Sequence, residues 1–223
     1  MNSNFGAATA PRRVSILGHR IDRPTHICAF FDSSAQEHAC IGPFVAEGLD
    51  NGEQVFVIRD AAQCMPYVKA LEAAVSRSFD AYVATGQLRL RATEETYLAG
   101  PGFEPDRMIE ILAHVLGESE AAGYPRVRTC GDMGWTLRGL KDTDQLMEYE
   151  ARVNLLTRVH DCTCVCVYDL NKFDGRAVMD VLSTHPLVVM GDRVYENPYY
   201  VEPLEFLERL VGRRPARPMV QTH

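Results

Sequence analysis

Apolar residues along this chain fall into short unbroken runs, separated by stretches in which they recur every three or four positions. His26-Ile-Cys-Ala-Phe-Phe31 is nearly continuous, the pattern of a strand covered on both faces. A helix over 35–50 follows it, then a strand over 54–59, a helix over 63–75 with Pro66 near its first turn, a short helical stretch within 78–85 and a strand over 87–91. Met108, Ile109, Ile111, Leu112, Val115 and Leu116 keep a helical period through 105–122, where Gly123 stops the helix. A strand over 126–130 runs into Gly131-Asp132-Met133-Gly134-Trp135, and Asp142 with Gln145 marks the start of a helix reaching about 159. Strand 162–168, helix 175–183 and strand 187–190 close the pattern. Alternation of this kind predicts an α/β fold with a doubly wound, mainly parallel sheet. Ligands of such sheets bind beyond the carboxyl ends of the strands.

No internal repeat or low-complexity linker divides the chain, so 21–211 is expected to form one domain. Residues 1–20 are expected to be a flexible lead-in and 212–223 a flexible tail. The balance of 23 Lys+Arg against 30 Asp+Glu gives a net charge of −7, which argues against direct nucleic-acid binding. No stretch approaches the roughly 20 apolar residues that span a bilayer, and the first residues lack the apolar core of a secretory signal. These features predict a cytoplasmic protein with no membrane attachment.

One segment departs from its own pattern. Strand, turn, helix and strand over 25–60 is the layout that opens a phosphate-binding α/β domain, yet the turn reads Asp32-Ser33-Ser34-Ala35-Gln36-Glu37-His38. Phosphate-cradling loops need glycines for close backbone approach, a lysine, and a Ser or Thr for magnesium. This turn has neither glycine nor lysine, and its carboxylates would repel a triphosphate.

The ordered set from His26–Phe31 through Phe44, Gly48-Leu49, Gly52-Glu53, Tyr97-Leu98, Phe103, Gly131–Trp135, Tyr149-Glu150, Asn154, Cys166, Tyr168-Asp169 and His185-Pro186 resembles the MEDS domain, the methanogen and methylotroph sensory domain. The resemblance covers about 20–205. It implies a three-layer RecA/KaiC-like fold whose nucleotide loop has degenerated, and a role in sensing small hydrocarbon-like molecules. Such domains are often joined to DNA-binding or signalling domains, so a protein partner or output domain is implied, and RecA-like assembly keeps a homo-oligomer open.

The strand ends nominate the ligand contacts. Phe31, Asp32, Asp132, Met133, Tyr168 and Asp169 mix aromatic, thioether and acidic groups, as suits a small, mainly apolar molecule held by a few polar contacts. Glu37 or His38, at a helix start, could add a polar contact, and Trp135 a rigid wall. His26 lies at the opposite strand end and is assigned a structural role. Tyr149, Glu150 and Asn154 share a helix and are expected to tether the Trp135 loop, while His185 before Pro186 satisfies local backbone.

Seven cysteines suit reduced, buried thiols better than disulfides. Cys162, Cys164 and Cys166 alternate onto one strand face, about 7 Å apart, too far for the roughly 4 Å sulfur spacing of a zinc site built on that strand alone. No metal and no cofactor is expected. The predicted function is a non-catalytic small-molecule sensor. The alternatives are an enzyme using Glu37, His38 and Asp169 as acid–base groups, which no recognised motif supports, and nucleotide binding without hydrolysis.

Overall fold

A computed structural model describes residues 14–99, 102–138 and 143–213. Seven strands form one sheet in the order β5 (Leu88–Ala92), β4 (Gln54–Arg59), β6 (Val127–Asp132), β7 (Cys162–Asp169), β3 (Thr25–Phe31), β8 (Leu187–Met190), β9 (Arg193–Glu196). Only the β8–β9 pair is antiparallel. β7 shows why these runs become central strands. Cys162, Cys164, Cys166 and Tyr168 point into one core and Val165 and Val167 into the other, so neither face can be polar.

Helices cover both faces, giving three layers. α1 (Ser34–Asp50), α2 (Ala61–Val75) and α3 (Asp80–Thr85) pack over one, and α4 (Pro105–Ala121), α5 (Thr143–Leu156), α6 (Gly175–Leu182) and α7 (Pro203–Arg213) over the other. The expected α/β, mainly parallel architecture is therefore observed. Asp142, expected to begin α5, lies outside the described residues, as do 1–13 and 214–223.

Two segments differ from expectation. Residues within the expected lead-in form a hairpin, β1 (Val14–Ile16) and β2 (His19–Ile21), whose Val14, Ile16 and Ile21 are buried. The Ser15 backbone N–H and Oγ both donate to Glu47 of α1, at 2.8 and 2.6 Å, which fixes the hairpin to the helix. β9 and α7 were not anticipated. α7 carries Phe206 and Leu210 into the core one helical turn apart, with Pro203 at its start.

The Gly48-Leu49…Gly52-Glu53 segment has a structural explanation. Gly52 takes φ +72° in the turn that carries the chain from α1 into β4. Glu53 is fully buried and pairs with the equally buried Arg128 of β6. Arg128 also donates to Glu47 at 2.9 Å and to the Phe44 carbonyl at 2.7 Å. Gly48 makes the passage: a Cβ there would lie 2.8 Å from Arg128 Cδ and Nε.

Candidate functional site

The connection from β3 to α1 is two residues long, Asp32 and Ser33, because Ser34–His38 already belong to the helix. Two backbone donors here are taken up locally. The Gln36 N–H donates to Ser33 Oγ (3.4 Å) and the Asp32 N–H to Gln36 Oε1 (3.3 Å). Glu37 turns sideways to pair with Arg59 at the end of β4. Arg59 also reaches Asp132 at 3.5 Å and stacks 3.5 Å above the Tyr67 ring. Two residues are too few for a phosphate-wrapping loop, and the cations beside it, Arg59 and Lys172, are each paired with a carboxylate.

Of the expected ligand contacts, Phe31, Asp32, Glu37, Tyr168 and Asp169 do come together, around a crevice of about 140 Å³ completed by Ser33, Ser34 and Asn171. Apart from the rings of Phe31 and Tyr168, its lining residues are polar or acidic. Burial opposes the charge of Asp169, but Lys172 at 3.0 Å and Asn171 outweigh it and hold the carboxyl below its ordinary range. His38 lies apart from the crevice, edge-on to Tyr67 at 5.4 Å. Asp132 faces Arg59.

Met133 and Trp135 are placed elsewhere, fully inside the core. Trp135 stacks on Tyr97 with centroids 4.9 Å apart and meets Phe103 at 4.9 Å; Tyr149 abuts both partners edge-on. Tyr149 thus braces the rings that hold Trp135, by packing. Asn154 does not reach that loop: its Nδ2 donates to the Thr184 carbonyl (2.8 Å) and to that of Glu150 (3.0 Å).

A larger cavity, about 370 Å³, opens between α4 and the face of β4 and β6 that it covers. Its body is apolar, formed by Phe56, Ile58, Met108, Ile111, Leu112 and Val115; Thr96, Thr129 and Tyr149 also line it, as do Arg91, Glu95, His114 and Glu118. Sequence reading found the apolar face of α4 but had no means of knowing that sheet and helix leave a gap there.

Glu150 belongs to a third feature. It is wholly buried with His26, His185 and Cys166, and one ligand-type atom from each lies within 4.8 Å of the others. The four come from α5, β3, the turn before β8, and β7. Tyr168 Oη donates to Glu150 Oε1 at 3.0 Å. Burial drives His26 down to about 3 against the opposing pull of the Glu150 backbone. It does the same to His185, where a His26 charge would add and Glu150 and the Val181 carbonyl oppose. Both imidazoles are therefore neutral at pH 7. Burial also pushes the Glu150 carboxyl up, against His185, Tyr168 and Cys166.

The architecture defines a RecA/KaiC-like α/β domain without a phosphate loop. A KaiC-like protein of known structure from the hyperthermophilic archaeon Pyrococcus horikoshii OT3 superimposes with a TM-score of 0.58, over 79% of this chain and 80% of that one, at 14% identity. The sequence model of the methanogen/methylotroph, DcmR sensory domain matches residues 25–186, and the chain belongs to this MEDS family. The transcriptional repressor DcmR of Methylorubrum extorquens (strain DSM 6343 / CIP 106787 / DM4) is 24% identical over 174 residues, which is 78% of this chain. The chain spans 62% of the length of that curated relative. Among the described residues, no helix is long and apolar enough to cross a membrane.

Proposed function

We propose that this chain is a non-catalytic sensor of a small, mainly apolar molecule, that the molecule binds in the cavity under α4, and that the response passes to a partner protein or output domain. The cavity carries the reading: about 370 Å³ of space lined largely by aliphatic and aromatic groups suits a hydrocarbon derivative, and Thr96, Thr129 and Tyr149 together with the charged Arg91, Glu95 and Glu118 offer polar contacts at its wall. The crevice beside α1 is smaller and polar, so an apolar ligand would gain little there. A ligand losing about 200 Å² of apolar surface gains about 5 kcal/mol before the costs of association, enough for weak, reversible sensing. Membership of a sensory family and similarity to a transcriptional repressor support signalling. A sensor without catalysis also fits the crevice, where Glu37 is neutralised by Arg59 and Asp169 by Lys172.

Thermal-shift and calorimetric titration with short halogenated and methylated compounds tests this. At least one is expected to stabilise the protein, to be recovered unchanged after long incubation, and to lose its effect in Leu112→Trp, which fills the cavity. A shift that survives Leu112→Trp but disappears in Asp169→Asn would move the ligand to the crevice. Consumption of the compound, or stabilisation by magnesium-ATP instead, would overturn the reading.

A further inference from the structure

We propose that His26, Glu150, Cys166 and His185 form a closed, four-coordinate site for a divalent transition-metal ion of the zinc class. This is separate from the ligand cavity and does not depend on it.

Four of the six edges between the donor atoms are fixed by the structure. His26 Nε2 lies 3.2 Å from Glu150 Oε2 and 3.2 Å from Cys166 Sγ. Glu150 Oε2 lies 3.6 Å from Cys166 Sγ and 3.5 Å from His185 Nε2. Zinc bond lengths of about 2.0–2.1 Å to nitrogen and oxygen and about 2.3 Å to sulfur make the edges of a tetrahedron about 3.3–3.6 Å long. The two nitrogen–oxygen edges and the oxygen–sulfur edge lie within about 0.2 Å of those values, the His26 Nε2–Cys166 Sγ edge is about 0.3 Å short of its value, and the whole set stays within 4.8 Å.

Proton accounting points the same way. His185 Nδ1 lies 2.8 Å from the Val181 carbonyl, which can only accept, so the ring proton is on Nδ1 and Nε2 presents a lone pair. That Nε2 is fully buried, has no hydrogen-bond partner, and faces the Glu150 carboxylate. A protonated Glu150 could serve one neighbour, but His26 Nε2, Cys166 Sγ and His185 Nε2 all converge on Oε2. A cation at the centre satisfies all of them together. Charge balances as well: a thiolate, a carboxylate and two neutral imidazoles carry −2, which a dication cancels in a place where uncompensated charge is costly.

The outer contacts are those of metal ligands. Val181 orients His185, and Tyr168 holds the second oxygen of Glu150. His26 Nδ1 lacks such a partner. Four protein donors and no opening to solvent define a structural or regulatory centre, since a catalytic one keeps a position free. The spacing argument against Cys162, Cys164 and Cys166 stands, because only Cys166 takes part and the other ligands come from three other elements.

The test is metal analysis of the full chain after dialysis against zinc or cobalt(II) at pH 7, with folding checked by circular dichroism. About one equivalent per chain is expected, with tetrahedral d–d bands and thiolate-to-cobalt absorption in the cobalt form. Cys166→Ser should abolish the thiolate band. Tyr168→Phe, which leaves every ligand in place, should weaken zinc binding about 10- to 100-fold by chelator competition. Folded wild-type protein that takes up neither ion overturns the proposal, as does uptake whose cobalt spectrum lacks thiolate absorption.

Discussion

The most direct test of how this fold is held together is removal of Arg128. Its side chain is fully buried, ion-paired to Glu53 and Glu47, bonded to the Phe44 carbonyl, and placed 4.6 Å over the Phe44 ring. Arg128→Met fills similar volume and takes from Glu53, also fully buried, its closest cation, leaving Asn51 at 3.4 Å and Arg126 at 3.9 Å. Breaking a buried pair in this way costs about 3–5 kcal/mol, because a charge is left without compensation. At a urea slope of about 2 kcal/mol per molar, the unfolding midpoint should fall by about 1.5–2.5 M. Arg209→Ala is the control. It removes an exposed pair with Glu205, and exposed pairs are worth less than about 1 kcal/mol. Arg128→Met combined with Glu53→Gln should recover much of the loss, since the stranded charge is gone. Equal midpoints for Arg128→Met and Arg209→Ala would refute the reasoning.

Gly48→Ala should act through the same arginine: its Cβ would lie 2.8 Å from Arg128 Cδ and Nε, and the displacement should cost about 1–3 kcal/mol in the same urea assay. Alkaline stability depends on buried thiols. Burial, with Glu37 nearby, pushes Cys40 up to about 12. A group whose folded pKa is raised stabilises the protein fully below its ordinary value and loses that contribution as pH rises through the folded one. Stability should accordingly fall from about pH 9 towards 12, by up to about 1.4 kcal/mol per pH unit for each such thiol. A flat profile over that interval would contradict the assignment. All seven cysteines are buried and free, so Ellman's reagent at pH 8 should label none in the native state and all seven in denaturant with chelator.

The strands were legible because a strand covered on both faces leaves an unbroken apolar run; β4 and β8 were bounded to the residue. The missing glycines and lysine also announced the loss of the phosphate loop, though not that Arg59 would occupy Glu37. The hairpin Val14–Ile21 was hidden because three-residue strands carry too little periodicity, and its anchor, Glu47, lies in a different element. α7 was within reach: Pro203 followed by Phe206, Leu207 and Leu210 is a helix start and an apolar face. Trp135 was read as a pocket wall because its turn holds two glycines, and the turn instead folds into a 3-10 helix that buries the indole among rings. The histidine cluster could not be seen at all. Its members meet only because β3 pairs with both β7 and β8 while α5 lies across them.

That pairing bears on how a ligand signal could travel. α5 is pinned at several points: Tyr149 by two rings, Glu150 by the buried cluster, and Asn154 by the Thr184 carbonyl. Moving it would break several buried contacts at once, which is costly. α4 is held more loosely. Only Met108, Leu116 and Ser119 of its residues are buried, Ser119 bonds to Gln54, and Ile109, Ile111, Leu112 and Val115 are half-buried. A ligand entering beneath α4 would bury those half-exposed groups and bias the helix against a fixed β4–β6–α5 frame. An equilibrium moves only by the difference in affinity between its two states, and the half-buried face of α4 is where such a difference can arise. On the proposed reading, the surface that would change for a partner is the outer face of α4, while α5 and the buried histidine–cysteine cluster beside it would stay in place.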